Sequence, residues 1–221
     1  MLATFTNRLG GISQGVYSSL NLGDHVGDEL AAVLANRQII EKLHGPVQFM
    51  NQVHGGRIVI IESVTDGQPT ADALVSGIPG VTLAVMVADC IPLLLISPQV
   101  VAAVHVGRRG LVNEIALKTL DLMREMGAQD ISAIIGPAIC GTCYEVSSEI
   151  FDEVVAQFPL ASSKTNSGTY ALDLPKALTA ALMSNGVQSI TDQKLCTVEN
   201  HELFSYRRDG VTGRQVGLVS L

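Results

Sequence analysis

The sequence predicts a mixed α/β (α+β) fold with a strand-dense centre, and three observations carry that reading. Between residues 47 and 106, six short apolar runs rich in β-branched residues follow one another, broken by Gly, Pro and Asp. The stretches on either side space their apolar residues at helical intervals. Of the 221 residues, 47% are hydrophobic and 16% charged, which is enough to fill a sizeable core and excludes a disordered chain.

Taken in order, residues 7–28 carry Gly10, Gly11, Gly15, Gly23 and Gly27 among Asn, Ser and Asp, a composition that predicts loop and turn. Asp28 is placed to cap a helix over 29–43. Leu30, Val33, Leu34, Ile39 and Ile40 fall near helical spacing there, and Gly45-Pro46 ends it. The strand runs are VQFMNQVH, RIVIIES, ADALVS, TLAVMVAD, PLLLIS and VVAAVHV. A helix over 111–126 stops at Gly127, ISAIIG forms a further strand, and a helix runs near 146–158. Pro175 sits at the first turn of a helix over 175–185, where its missing N–H costs nothing. The tail, 195–221, reads as a polar loop and two short strands. No repeat, low-complexity tract or long linker divides the chain, so 1–221 is expected to be one domain.

Composition narrows the function. With 14 Lys+Arg against 21 Asp+Glu, a net of −7 and no block of like charge, the chain is a poor partner for nucleic acid or an anionic membrane. An anionic substrate must be met by a few placed cations. Aromatic residues are 4% and Trp is absent, which leaves little to stack bases on. The longest apolar run, IPGVTLAVMVADCIPLLLIS, is interrupted by Asp89, Cys90 and Pro92 and reads as two buried strands, not a membrane helix. The first residues lack the charged-then-apolar pattern of a secretory signal, so a cytoplasmic location is expected. There the four cysteines would be thiols or metal ligands.

Three metal-ligating side chains sit in or at the ends of these apolar strands. His54 closes VQFMNQVH before Gly55-Gly56, Cys90 closes TLAVMVADC, and His105 lies in VVAAVHVG. A rigid strand ending in a glycine turn can hold a side chain toward a site. Two imidazoles and one thiolate form a three-ligand Zn²⁺ set with the fourth position open, the catalytic pattern of zinc. Their separations match no short zinc signature, so buried, hydrogen-bonded histidines and a small apolar cysteine are the alternative reading.

The motifs SLNLGDHVGDE (19–29), NR (36–37), NQVHG (51–55), ADALV (71–75), ADCIPLLL (88–95), AVHVGRRG (103–110), IGPAICGTCYEV (135–146) and LFSYRRDGVTGR (203–214) occur in this order. Together they resemble the YfiH-type, laccase-domain family, described both as multicopper polyphenol oxidoreductases and as zinc-dependent purine nucleoside phosphorylases. The resemblance spans nearly the whole chain. It implies a CNF/YfiH-like single domain with mixed β-sheets packed between helices. It also implies one bound metal, Zn²⁺ with Cu²⁺ as the other candidate, on His54, Cys90 and His105.

The activity implied is phosphorolysis of purine nucleosides (adenosine, inosine, guanosine, methylthioadenosine), with adenosine deamination as a side activity. Purine nucleoside and inorganic phosphate would be the partners. The resemblance supports Arg37 as a phosphate clamp. Asn21 and His25, in the loop before it, are expected near phosphate or ribose, and His25 can shuttle a proton near neutral pH. Arg108 stands where the family's AVHAGWRG has Trp, which adds a cation near the site and removes an aromatic wall. Cys143 is also expected near the site. Cys140 and Cys143 form a C-x-x-C read here as unpaired thiols, and Cys196 as a packing residue. Gln52 and Asn51 could orient His54, Asp72 could brace a turn or accept from a metal-bound His, and Asp89 is expected to be structural.

Two other readings compete. Copper-dependent phenol oxidation by several copper centres needs more imidazole and thiolate ligands than five histidines supply, although one copper at the same three ligands is compatible with the set. A non-catalytic zinc module would close the site with Cys143 or Asp72 as fourth ligand.

Overall fold

The computed structural model describes residues 1–65 and 67–221. In chain order the elements are β1 (Leu2–Phe5), α1 (Leu30–His44), β2 (Val47–Gln48), β3 (Ile58–Ile60), β4 (Ala73–Ser76), β5 (Thr82–Val87), β6 (Ile91–Ile96), β7 (Val101–Val106), α2 (Arg108–Val112), α3 (Ile115–Glu125), β8 (Ser132–Ile135), α4 (Ser148–Gln157), β9 (Ser162–Lys164), β10 (Tyr170–Leu172), α5 (Leu174–Ser184), β11 (Ser189–Asp192), α6 (Tyr206–Asp209) and β12 (Gln215–Ser220). A four-stranded sheet has the order β1-β12-β5-β2, and a six-stranded sheet the order β11-β8-β6-β7-β4-β3. Both mix parallel and antiparallel pairs.

Side-chain alternation explains how the sheets stack. Leu83, Val85 and Val87 on β5 meet Leu74, Leu94, Val101 and Ala103 of the six-stranded sheet in one apolar layer. The opposite face of β5, with Ala84 and Met86, packs beneath Ile40 of α1. The far face of the six-stranded sheet, with Leu93, Leu95, Ala102 and Val104, is covered by Ile115, Leu120 and Met123 of α3 and by Leu178 and Leu182 of α5. The result is helix, sheet, sheet, helix. Strands buried on both faces read as continuous apolar runs, which is what the 82–106 segment shows.

Several elements differ from the sequence expectation for identifiable reasons. The run 47–54 makes only a two-residue strand, because beyond it the Gln52 amide replaces a backbone partner. It donates to the Met86 carbonyl at 2.7 Å and accepts from the Met86 N–H at 2.8 Å. The helix expected over 111–126 is two helices, broken at Glu114 in the left-handed conformation (φ 60). Asn113 makes the break useful: its side-chain oxygen accepts from the Ile115 N–H and its amide donates to the Gly55 carbonyl. Asp28 does not cap α1. Its oxygens accept from the Glu29 N–H and from Asn21, bracing the loop instead. Asp173, which the sequence reading passed over, caps α5 by accepting from the Lys176 N–H. β1, β9, β10, β11 and α6 were not foreseen, and the tail holds one six-residue strand in place of two short ones. Among the described residues no helix is long and apolar enough to cross a membrane.

Leu94 is fully buried in the layer between the sheets. Its replacement by Ala should lower the unfolding free energy by about 2–5 kcal/mol, read as a shifted midpoint in chemical denaturation with an unchanged slope.

Candidate metal centre

β4 and β7 pair antiparallel with Ala73 opposite Val104, so the next residues along, Asp72 and His105, are cross-strand neighbours. The two-residue period then puts both on the face toward the second sheet, in line with Leu74 and with Val101 and Ala103. Asp72 is fully buried and His105 is 4% exposed. The Asp72 carboxylate is 2.8 Å from His105 Nδ1. Its two oxygens also accept from the backbone N–H groups of Val53, His54 and Gly55 at 3.3, 2.9 and 2.7 Å. One buried carboxylate therefore turns His105 so that Nε2 faces outward, and also folds the loop that carries His54. His54 itself sits in the left-handed region at φ 57.

Cys90 arrives from a third direction. The turn between β5 and β6 carries the chain from the four-stranded to the six-stranded sheet, and Asp89 in it has φ 101. That conformation is held by the Asp89 carboxylate, which accepts from Thr197 Oγ1 at 2.6 Å, Ser205 Oγ at 2.7 Å and the Arg207 N–H at 2.7 Å. Asp89 is thus structural and braces Cys90 from behind.

One ligand atom each from His54, Cys90 and His105 lie within 4.8 Å of one another. His54 Nε2 is 3.7 Å from Cys90 Sγ. Nitrogen and sulfur ligands at zinc bond lengths on a tetrahedron stand about 3.3–3.8 Å apart, so this donor set fits a metal of that kind. Gly107 supports the fit: a Cβ there would lie 2.9 Å from Cys90 Sγ and 3.2 Å from His54 Cδ2, so only hydrogen leaves the cradle open. Asp72 is fully engaged and Cys143 lies elsewhere, so among the described residues no fourth protein ligand joins this group.

The electrostatics match. Burial alone would push the Cys90 thiol up. The facing His105 charge and hydrogen bonds from His105 and His54 outweigh burial and bring it from 9.0 to about 6. Burial would likewise lower His105, yet Cys90 and Asp72 raise it from 6.5 to about 9. In the metal-free protein between these values, a thiolate faces an imidazolium.

The cluster opens into a cavity of about 530 Å³, walled by Gln52, Met86, Ile139 and Tyr144 and rimmed by His25, Tyr206, Arg207 and Arg214. A second hollow of about 510 Å³ beside α5 is lined by Cys140 and Cys196 and by no imidazole. Arg214 is half-buried beside the Asp89 and Cys90 charges. Arg207 lies 5.4 Å from the Tyr144 ring centre. Burial and the nearby Arg214 hold His25 below its ordinary value, against the pull of Asp24.

Other residues singled out in the sequence sit differently. Arg37 is buried over the Phe49 ring at 4.1 Å, donates to the Leu22 carbonyl at 3.0 Å and pairs with Asp24 at 3.2 Å. It does not line the cavity, and it reaches it only through Asp24, which is 3.6 Å from His25. The Asn21 amide is spent on its own loop, on Gly23, Asp28 and the Arg214 N–H, and is fully buried. Arg108 lies 3.7 Å from Glu153, outside the cavity lining, and its charge opposes the rise that burial and Cys90 impose on the Tyr144 hydroxyl. Cys143 joins Cys140, Cys196 and Glu199 in a separate group. Asn51 bridges to Thr70 and not to His54. Sequence reasoning missed Arg214, Tyr144 and Tyr206. The first and last lie inside the quoted LFSYRRDGVTGR motif and the other inside IGPAICGTCYEV, but no spacing marks them as facing His54.

A family model described as "Multi-copper polyphenol oxidoreductase laccase" matches residues 2–221. A protein of Corynebacterium glutamicum named purine nucleoside phosphorylase is 44% identical, over 98% of this chain and 93% of its own. One of Streptomyces coelicolor with the same name is 43% identical, over 98% and 94%. Among solved structures, a Neisseria meningitidis protein is 38% identical with a TM-score of 0.91, covering 99% of this chain and 93% of its own. YlmD from Geobacillus stearothermophilus is 33% identical with a TM-score of 0.90, over 99% and 91%.

Asp72→Asn should weaken metal binding by about 10–100-fold, measured by competition with a chromophoric chelator. Unchanged affinity would show that the carboxylate does not orient His105. Proton release gives a second measurement. His105 keeps its proton until about pH 9 and Cys90 loses its own near 6. Zinc added to the metal-free protein at about pH 8 should therefore displace the His105 proton and none from Cys90. The displaced count should rise as pH falls below 6, where the thiol is restored. A metal-free protein without thiolate ultraviolet absorption at pH 8, read as the difference from Cys90→Ser, would contradict the thiolate–imidazolium pair.

Proposed function

The chain belongs to the multi-copper polyphenol oxidoreductase laccase family, and from that premise we propose that it is a metal-dependent purine nucleoside phosphorylase using Zn²⁺ on His54, Cys90 and His105. The observation that carries this reading is the three-ligand group in the lining of a cavity that Arg207, Arg214 and His25 also line. The purine nucleoside phosphorylase names of relatives 36–44% identical support it.

Phosphorolysis breaks the bond from the sugar C1′ to the base nitrogen, joins a phosphate oxygen to C1′, and returns a proton to the leaving purine. Zn²⁺ held by His54, Cys90 and His105 would supply Lewis acidity. The chain's own residues do the rest. Arg214 and Arg207 receive the phosphate, and their charge is strong in a partly water-excluded hollow. Met86, Ile139 and Tyr144 offer the base an apolar seat. His25 enters neutral, because burial and Arg214 depress its proton affinity. A phosphate dianion against Arg214 offsets that repulsion and raises the proton affinity of His25, which places an imidazole able to pass a proton toward the purine. Arg37 acts at one remove by fixing Asp24, which holds His25. The same centre suits adenosine deamination as a side activity.

A single copper at these ligands is the alternative, since Cu²⁺ outcompetes Zn²⁺ at nitrogen and sulfur sites. Elemental analysis of protein prepared without added metal decides between the two.

Adenosine or inosine with phosphate should yield free base and ribose 1-phosphate, and Cys90→Ala should abolish turnover while the protein stays folded. Arg214→Ala should cut kcat/KM for phosphate by roughly 10–100-fold, the loss expected for a charge-assisted hydrogen bond. No turnover of any purine nucleoside by metal-replete protein would overturn the proposal.

A further inference from the structure

We propose that the chain carries a second, structural metal site, built by Cys140, Cys143, Cys196 and Glu199, that takes a thiophilic divalent cation such as Zn²⁺. One ligand atom from each of the four lies within 4.8 Å of all the others. Glu199 Oε1 is 3.6 Å from Cys143 Sγ and 4.0 Å from Cys140 Sγ. Tetrahedral zinc with three thiolates and one carboxylate separates its ligand atoms by about 3.5–3.8 Å, so the present spacings need little change to close on an ion.

The ligands come as two pairs with the same spacing, Cys140-x-x-Cys143 and Cys196-x-x-Glu199. Structural zinc sites use such pairs because one tight turn brings both side chains to the same side. The first turn closes through the Cys143 and Tyr144 N–H groups on the Cys140 carbonyl, at 3.1 Å each. The two turns are held together by a parallel bridge between Ala138 and Cys196 and by the Cys140 N–H on Cys196 Sγ at 3.5 Å. Burial pushes the Cys196 thiol up, while the backbone N–H groups of Cys140, Glu199 and Val198 favour its thiolate. Burial and the adjacent Cys140 and Cys196 push Cys143 to about 12.

The four-ligand set leaves no open position, which marks the site as structural, unlike the three-ligand centre. Its position gives it a task. Ile139 and Tyr144, next to the first pair, line the cavity. Thr197, next to Cys196, donates to Asp89 behind Cys90. An ion here clamps the two segments that form one wall of the first site. A bound count of one metal per chain would therefore describe the first centre alone.

Elemental analysis tests this independently of nucleoside turnover. Protein purified under reducing conditions should hold two Zn²⁺ per chain. Cys90→Ala should hold one and Cys143→Ala/Cys196→Ala one. In a Cys90→Ala background, Glu199→Gln, an exposed and conservative change, should speed Zn²⁺ loss to a chelator by at least about tenfold. With Co²⁺ substituted for zinc, the thiolate-to-metal absorption should fall to about a quarter in Cys143→Ala/Cys196→Ala, because three of four metal–sulfur bonds disappear. A single metal in the wild type together with none in Cys90→Ala would overturn the proposal. So would a Cys140–Cys143 disulfide mapped by mass spectrometry in metal-replete protein. If the double variant does not fold, the Cys90→Ala stoichiometry and the Glu199→Gln release rate still decide.

Discussion

The carboxylate of Asp72 is the interaction on which the candidate centre depends. A buried charge is tolerable only when every lone pair is used, and here a histidine and three consecutive backbone N–H groups use them. The contacts are not interchangeable. The bond to His105 Nδ1 leaves only the other ring nitrogen for a metal, and the backbone bonds hold His54 in a left-handed conformation that a residue with a Cβ does not adopt for free. Removing the carboxylate would release two of the three ligands at once.

Around that anchor, the rest of the architecture supplies distance and direction. The six-stranded sheet brings Asp72 and His105 to one face by register alone. The sheet-to-sheet turn delivers Cys90, and Asp89 holds that turn by reaching into the 197–207 segment. Arg208 fixes the same segment, donating to the carbonyls of Thr197, Val198, Asn200 and Leu203. Of the adjacent arginines, Arg208 is therefore consumed by the fold while Arg207 faces the cavity. Gly107 contributes by having no side chain.

The central strands were legible in the sequence because burial on both faces leaves an uninterrupted apolar signature, as in 82–87 and 91–96. His54, Cys90 and His105 stood out for a related reason, being polar residues at the ends of such runs. Asp72 was legible only as an open choice between a turn brace and an acceptor from a histidine, since its pairing with His105 needs the β4–β7 register, which joins positions 33 residues apart. Arg37 is a different case: the sequence places this cation on α1, and only the fold shows that it packs against Phe49 and Asp24, away from the cavity lining. The grouping of Cys140 and Cys143 with Cys196 and Glu199 was hidden because the second pair lacks a second cysteine and lies more than fifty residues further on.

The centre also occupies a particular place in the layering, at the corner where the chain leaves one sheet for the other. His105 belongs to the six-stranded layer, the loop of His54 is tied through Gln52 to the four-stranded layer, and Cys90 is the hinge leaf between them. An ion held by all three is a rivet through both leaves. Breathing of the sandwich at that corner and escape of such an ion would then be the same event, so the slowest opening of the seam would set how long an ion bound there stays.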